Sequence, residues 1–180
     1  MKTIALILIS LLALTSMTMA QDKLITKTGH IWFYSHAPLE DIIAHTHLAA
    51  AIIDLSKGSI AVSIPMMSFE FKKALMQEHF NENYVESAKY PKAHFAGSVK
   101  NLSELNFKKN GIYKTTVTGD LTIHNVTRKI EADGTIEVKD GKYTVISKFN
   151  VSPKDYDIKI ENRLSRNIAS TIEVNVELNF

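Results

Sequence analysis

From Gly58 to Phe180 the apolar residues recur at every second position, and this alternation constrains the fold more than any other feature of the chain. Successive side chains of a β-strand point to opposite faces, so a period of two describes a strand with one face buried and one face wet. The sets are Ile60, Val62 and Ile64; Phe95, Gly97 and Val99; Val117, Gly119, Leu121 and Ile123. They continue as Val126, Ile130, Ala132, Ile136 and Val138, then Tyr143, Val145, Phe149 and Val151, and end as Ile172, Val174, Val176, Leu178 and Phe180. Upstream, Ile31 and Phe33 begin a first strand with Trp32 and Tyr34 on its other face. Residues 42–55 read as a second strand with apolar residues on both faces.

Asn110-Gly111 and Asp140-Gly141 are tight-hairpin signals, because both central residues of a type I′ turn need positive φ; Lys57-Gly58 and His124-Asn125 are weaker versions. Neighbouring strands are therefore expected to be antiparallel. About eight such strands in up-and-down order bury their apolar face most simply by curling into a closed all-β barrel, which also removes unpaired edges. A two-sheet sandwich is the alternative that periodicity leaves open. One segment breaks the pattern. Phe71, Leu75, Met76, His79 and Phe80 recur at helical spacing, which predicts a short amphipathic helix near residues 71–80, laid over one mouth of the barrel. Asn81 and Asn83 interrupt it, and Pro91 stops any continuation before the next strand.

The first twenty residues stand apart. Lys2, an apolar run from Ile4 through Leu14, and Thr18-Met19-Ala20 before Gln21 have the form of a signal peptide. Residues 1–20 are thus expected to be removed, leaving residues 21–180 as one domain in the periplasm or outside the cell. A run of about eleven apolar residues falls short of the roughly 20 that span a bilayer, and no second run of spanning length follows in the mature chain. Cysteine is absent, so stability must come from the core. The formal net charge of +2 falls to +1 once Lys2 is removed. The basic pairs Lys72-Lys73, Lys108-Lys109 and Arg128-Lys129 are scattered, which argues against nucleic acid as a partner.

Catalytic signatures are missing. The chain has no cysteine, no G-x-S-x-G elbow, no H-E-x-x-H spacing and no Gly-rich phosphate loop. Histidine keeps one alternative open: His45 and His47, two apart on a strand, share a face and can begin a metal site if His36 or His79 supplies a third ligand. That would make a metal-binding protein or a metal-dependent enzyme. Glu78, Glu82 and Glu86, spaced by four, read as a solvated acidic face, since nothing local shifts a carboxyl pKa towards general acid or base work. Trp32, Tyr34, Met66 and Met67 suit an apolar guest and an ordinary core equally well.

Two blocks carry a resemblance. Phe69–Phe95 places Tyr90-Pro91 and then Phe95 after the short helix, and GDLTIHNVTRKI sets Gly119, Leu121, Thr122, Val126 and Thr127 in a G-x-L-T-hydrophobic-x-G-V-T pattern inside a hairpin. In these the chain resembles the YceI-like family over most of its length after residue 28, most weakly over residues 37–58. Asn125 stands where that family usually has Gly, and Asn is the next residue most tolerant of the left-handed conformation. The resemblance implies a lipocalin-like barrel outside the cytoplasm that holds a long apolar lipid, a polyisoprenoid, quinone or similar molecule, without covalent attachment, other cofactor or catalysis.

On that reading Phe71, Leu75, Phe80, Phe95, Val99, Val117, Leu121, Ile123 and Phe149 line the cavity. Gly97, Gly119, Ala132 and Ser147 leave room among them, and His79 and Asn81 meet a polar headgroup at the mouth. Side chains can also fill an eight-stranded barrel completely. A packed structural or interaction module without ligand, and a homodimer in either case, therefore stay open.

Overall fold

Alternation over so many strands becomes a sheet that closes on itself. The computed structural model describes residues 23–180; the expected signal peptide lies outside the described residues. The strands are β1 (Lys23–His36), β2 (Asp41–Asp54), β3 (Ser59–Pro65), β4 (Glu70–Phe71), β5 (Lys92–Val99), β6 (Gly111–Ile123), β7 (Val126–Lys139), β8 (Lys142–Val151) and β9 (Ile172–Asn179), with helix α1 (Ala74–His79) between β4 and β5. All pairings are antiparallel in the order β1-β9-β8-β7-β6-β5-β3-β2, and β2 pairs back onto β1 from Lys23–Asp54 to His36–Asp41. The result is an eight-stranded up-and-down barrel, with the two-residue β4 appended to β2 through Ala44–Phe71 and His45–Glu70. The β1–β2 closure excludes the sandwich.

The two-faced apolarity of β2 has a local cause. Its inward residues run Ile42, Ala44 and Thr46, then Ala49, Ala51 and Ile53, a change of phase by one residue. The change falls where β1 shifts register on either side of Gly29, opposite Ala49. An irregular pair of this kind inserts a residue and flips the alternation. A Cβ on Gly29 would sit 2.5 Å from the Leu178 side chain, so the site takes no larger residue without movement.

Turn chemistry is followed at two of the four expected positions and half followed at a third, where Gly58 but not Lys57 has positive φ. Asp140 and Gly141 (φ 50° and 77°) join β7 to β8, His124 and Asn125 (φ 52° and 62°) join β6 to β7, and Gly58 (φ 65°) sits in the turn before β3. Asn110-Gly111 is different. The connection from β5 to β6 is a longer loop containing a 3₁₀ turn at Leu102–Glu104, and Asn110 instead exchanges hydrogen bonds with the neighbouring turn, Asn110 Nδ2 to Asp140 Oδ1 (2.9 Å) and Asp140 N to Asn110 Oδ1 (3.0 Å). The helical insertion is also shorter than its spacing suggests. Phe71 belongs to β4, α1 occupies Ala74–His79, and Phe80–Tyr84 continues as one wider π turn.

Gly97 and Gly119 face each other across β5 and β6, and the ring of Phe95 lies over both. The Phe95 Cζ atom is 2.6 and 2.8 Å from where their Cβ atoms would be. The room expected from these two glycines is therefore filled by the protein's own phenyl ring. A methyl group at Gly119 would also meet Ala96 O at 2.4 Å and Gly97 Cα at 2.5 Å, main-chain atoms that cannot swing aside.

The turn that ends β6 is tied to two other segments. His124 Nδ1 donates to the carbonyl oxygen of Tyr156 (3.1 Å), and His124 Nε2 lies 2.7 Å from Glu86 Oε2. The carbonyl can only accept, and so can an ionised Glu86 carboxylate, so the imidazole is the bridge between the two segments. The Tyr90 ring meets this imidazole edge-on at 4.5 Å. The hydrogen bond from His124 is the main cause that holds the Glu86 carboxyl below the ordinary glutamate range, against the opposing effect of burial. Glu86 thus differs from Glu78 and Glu82, which remain solvated.

Two outcomes follow. Gly119→Ala should lower unfolding free energy by about 1–3 kcal/mol, the cost of overpacking a tight site, and urea titration with an unchanged m value checks it. Because the folded pKa of Glu86 is depressed, its contribution to stability is whole at neutral pH and is lost as pH falls through that folded value. Thermal melts between about pH 7 and about pH 3 should show a smaller acid loss for Glu86→Gln than for the parent; equal losses contradict the clamp.

Candidate functional site

Inside the barrel the inward faces do not meet. They enclose a cavity of about 370 Å³ walled almost wholly by apolar side chains from all eight barrel strands, together with Met66 and Phe69. Phe33, Val62, Ile64, Val117, Ile123 and Phe149 point inward yet are only partly buried, which is what side chains around a void must be. A core at normal packing density would leave them no accessible surface. The interior is thus not the filled core of a packed barrel.

The two ends differ. One end is sealed by Ile53, Ile60 and Val99, against which Leu24, Leu102, Leu105 and Phe180 pack. At the other, Phe33, Phe69, Phe71 and Phe80 form a cluster with ring centroids 5.1–5.8 Å apart, in the edge-on, tilted and offset arrangements aromatic rings favour. Polar groups gather at this second end. Ser35, Glu40, His79, Tyr84, Tyr156 and Asn167 all line the cavity there. The Glu40 carboxyl is held below its ordinary range chiefly by the hydrogen bond from Lys73 Nζ (2.6 Å), with Asn167 assisting, while burial pushes the Tyr84 and Tyr156 hydroxyls up.

Of the residues expected on the wall, Phe71, Phe80, Phe95, Val117, Leu121, Ile123 and Phe149 line the cavity, as does His79. Three lie elsewhere. Leu75 is 61% exposed, because the six-residue α1 presents Met76, not Leu75, to the interior. Val99 packs into the sealed end. Asn81 is turned back onto α1, donating through Nδ2 to Gln77 O (2.9 Å) and leaving a buried Oδ1 without a partner among the described residues. Ala132 and Ser147 are on the wall as expected. Ser35, Glu40 and the crossover residues Tyr156, Ile158, Ile160 and Ile168 were not foreseen; Ile158 and Ile160 alternate, but in a stretch with no strand signal around them.

The histidine alternative is rearranged. His45 and His47 do share the outer face of β2, but their neighbour is His30 of β1: His30 Nε2 lies 3.1 Å from His45 Nδ1, and its ring stacks on His47 at 4.1 Å and on Trp32 at 4.5 Å. His36 is hydrogen-bonded to Asp41 instead, and His79 is at the cavity end. Among the described residues no group of three metal-ligating side chains is placed to hold an ion. Burial first, and then the neighbouring His47 and His45, lower the His30 pKa and favour its neutral form. Trp32 and Tyr34 are likewise outside; Met66 is on the cavity wall and Met67 faces solvent. Among the described residues no helix is long and apolar enough to cross a membrane.

The fold has solved counterparts. A polyisoprenoid binding domain from Saccharophagus degradans implicated in plant cell wall breakdown is similar with a TM-score of 0.74 at 16% identity, over 88% of this chain and 97% of that one. BcnA of Burkholderia cenocepacia gives 0.70 at 16%, over 84% and 96%, and the YceI protein of Campylobacter jejuni 0.56 at 19%, over 73% and 78%. No curated protein sequence matches the chain. The YceI-like domain family matches residues 25–180, nearly all of the barrel and every residue of the cavity wall, and the chain belongs to that family.

Proposed function

We propose that the protein binds one long apolar lipid inside the barrel, as a carrier and not as an enzyme, and that it does so outside the cytoplasm. The observation that supports this most is the hollow interior: apolar side chains that could have met are held apart, at a cost in lost contacts that an apolar guest would restore. Family membership and the polyisoprenoid binding of a similar domain point the same way. The tail lies towards the sealed end at Ile60 and Val117, and the head lies near Glu40, His79, Tyr84 and Asn167, where the polar groups are. A guest gains about 0.3 kcal/mol for each heavy atom it buries, so affinity grows with the length of chain the barrel takes in.

Substitution on the two faces of β6 tests the reading. Ile123 lines the cavity and is only partly buried, whereas Thr122 is half-buried off the cavity wall and shares a hydrogen bond with Thr127 across the hairpin (2.8 Å). Ile123→Trp should leave the ligand-free melting temperature nearly unchanged and weaken uptake of an isoprenoid at least tenfold, about 1.4 kcal/mol or more; Thr122→Trp should bind as the parent does. Unfolding of ligand-free Ile123→Trp, or parental uptake by both variants, contradicts a lipid-sized cavity. Export has its own check. Intact mass of the exported protein should correspond to a chain beginning at Gln21, and a chain that keeps residues 1–20 contradicts the location.

A further inference from the structure

The barrel wall is unevenly sewn. β6 and β7 pair along their whole lengths, from Gly111–Val138 to Ile123–Val126. The β7–β8 ladder runs only from Lys139–Lys142 to Gly134–Ser147, so Val126–Asp133 has no partner on β8, and Lys148–Val151 pairs with β9 alone. Had the ladder continued, Asp133 would face Lys148 and Glu131 would face Asn150. The charges turn away from the gap instead: Asp133 accepts from Thr116 of β6 (2.8 Å), Glu131 pairs with Lys100, and Lys148 pairs with Glu173 of β9 (2.8 Å).

Among the described residues only side-chain hydrogen bonds bridge the split. At its foot Ser147 Oγ donates to Asp133 O (2.8 Å); at its top, where the Pro153–Tyr156 turn folds back to β7, Arg128 Nε donates to Asp155 O (2.8 Å) and His124 Nδ1 to Tyr156 O (3.1 Å). The lips themselves, Ile130 and Ala132 on one side and Phe149 and Val151 on the other, are cavity wall. Neither end of the barrel opens so cheaply. The sealed end is a packed apolar cluster, and the helical end is held by the four-phenyl cluster, the Lys73–Glu40 ion pair, Leu39 N to Arg166 O and Ala169 N to Ser35 Oγ.

We propose that the split between β7 and β8 is a lateral gate through which an apolar chain enters and leaves the barrel sideways, with Arg128 and His124 as its latch. The gate rests on the lipid-binding reading above. It lets a chain slide in along its length from a lipid phase without breaking a ladder hydrogen bond, and the latch bonds are re-formed behind it.

The absence of cysteine makes the test clean. Glu131→Cys with Asn150→Cys puts one thiol on the outer face of each lip, and a short bismaleimide, confirmed by intact mass, bridges them. Radiolabelled solanesol is loaded, and its transfer to phosphatidylcholine vesicles is timed. Transfer from the bridged protein should be at least tenfold slower than from the same variant unbridged, and Arg128→Gln should transfer at least threefold faster than the parent with equilibrium binding unchanged. Equal rates with and without the bridge overturn the gate, as does a slowdown that appears only when Glu40→Cys and Lys73→Cys are bridged at the helical end. A parent that takes up no solanesol and carries no lipid overturns the binding reading with it; a parent that holds solanesol but ignores the bridge overturns the gate alone.

Discussion

Closure of the sheet by β1 on β2 is the constraint from which the rest follows. Hydrogen bonds between neighbouring strands leave two open edges in any flat meander, and the pairing from Lys23–Asp54 to His36–Asp41 removes both. Once closed, a sheet of eight strands fixes a radius at which opposite walls stand apart unless large side chains fill the middle. Here the middle is not filled. The inward set is dominated by isoleucine and valine, and four of its phenyl rings, Phe33, Phe69, Phe71 and Phe80, are drawn to one end.

This division of the interior gives the cavity its polarity. The sealed end has no ionisable group in its cluster, so it suits a hydrocarbon tail; the helical end gathers a carboxylate, an imidazole, an amide and two phenols. The helical insertion and the crossover between β8 and β9 both fold over that end, and His124 joins them through Glu86 and the Tyr156 carbonyl. A motif read in the sequence as a hairpin turn thus proves to be the junction of the segments that cover the mouth.

Strands with clean alternation were legible because a period of two survives any barrel curvature; β3 and β5 to β9 keep the faces their sequences imply. What was not legible depends on contacts far apart in the chain. The phase change of β2 is set by a register shift opposite Gly29, which no local pattern on β2 announces. Leu75 and Phe71 fit a helical spacing, yet pairing of Phe71 with Ala44 claims that residue for β4 and shortens the helix. Gly97 and Gly119 look like empty space until Phe95 is seen lying across both. His45 and His47 share a face as their spacing requires, but their neighbour His30 is brought in by the β1–β2 register, so a local search finds the wrong third histidine.

The central claim is that the space inside the barrel belongs to a lipid. Native mass spectrometry of the protein purified from its own host, followed by organic extraction and mass analysis of the extract, addresses it without mutation or added ligand. The account predicts one dominant apolar lipid at one copy per barrel, released on unfolding. Repeated preparations that are empty, combined with no saturable uptake of isoprenoids or quinones by the empty protein, would contradict it.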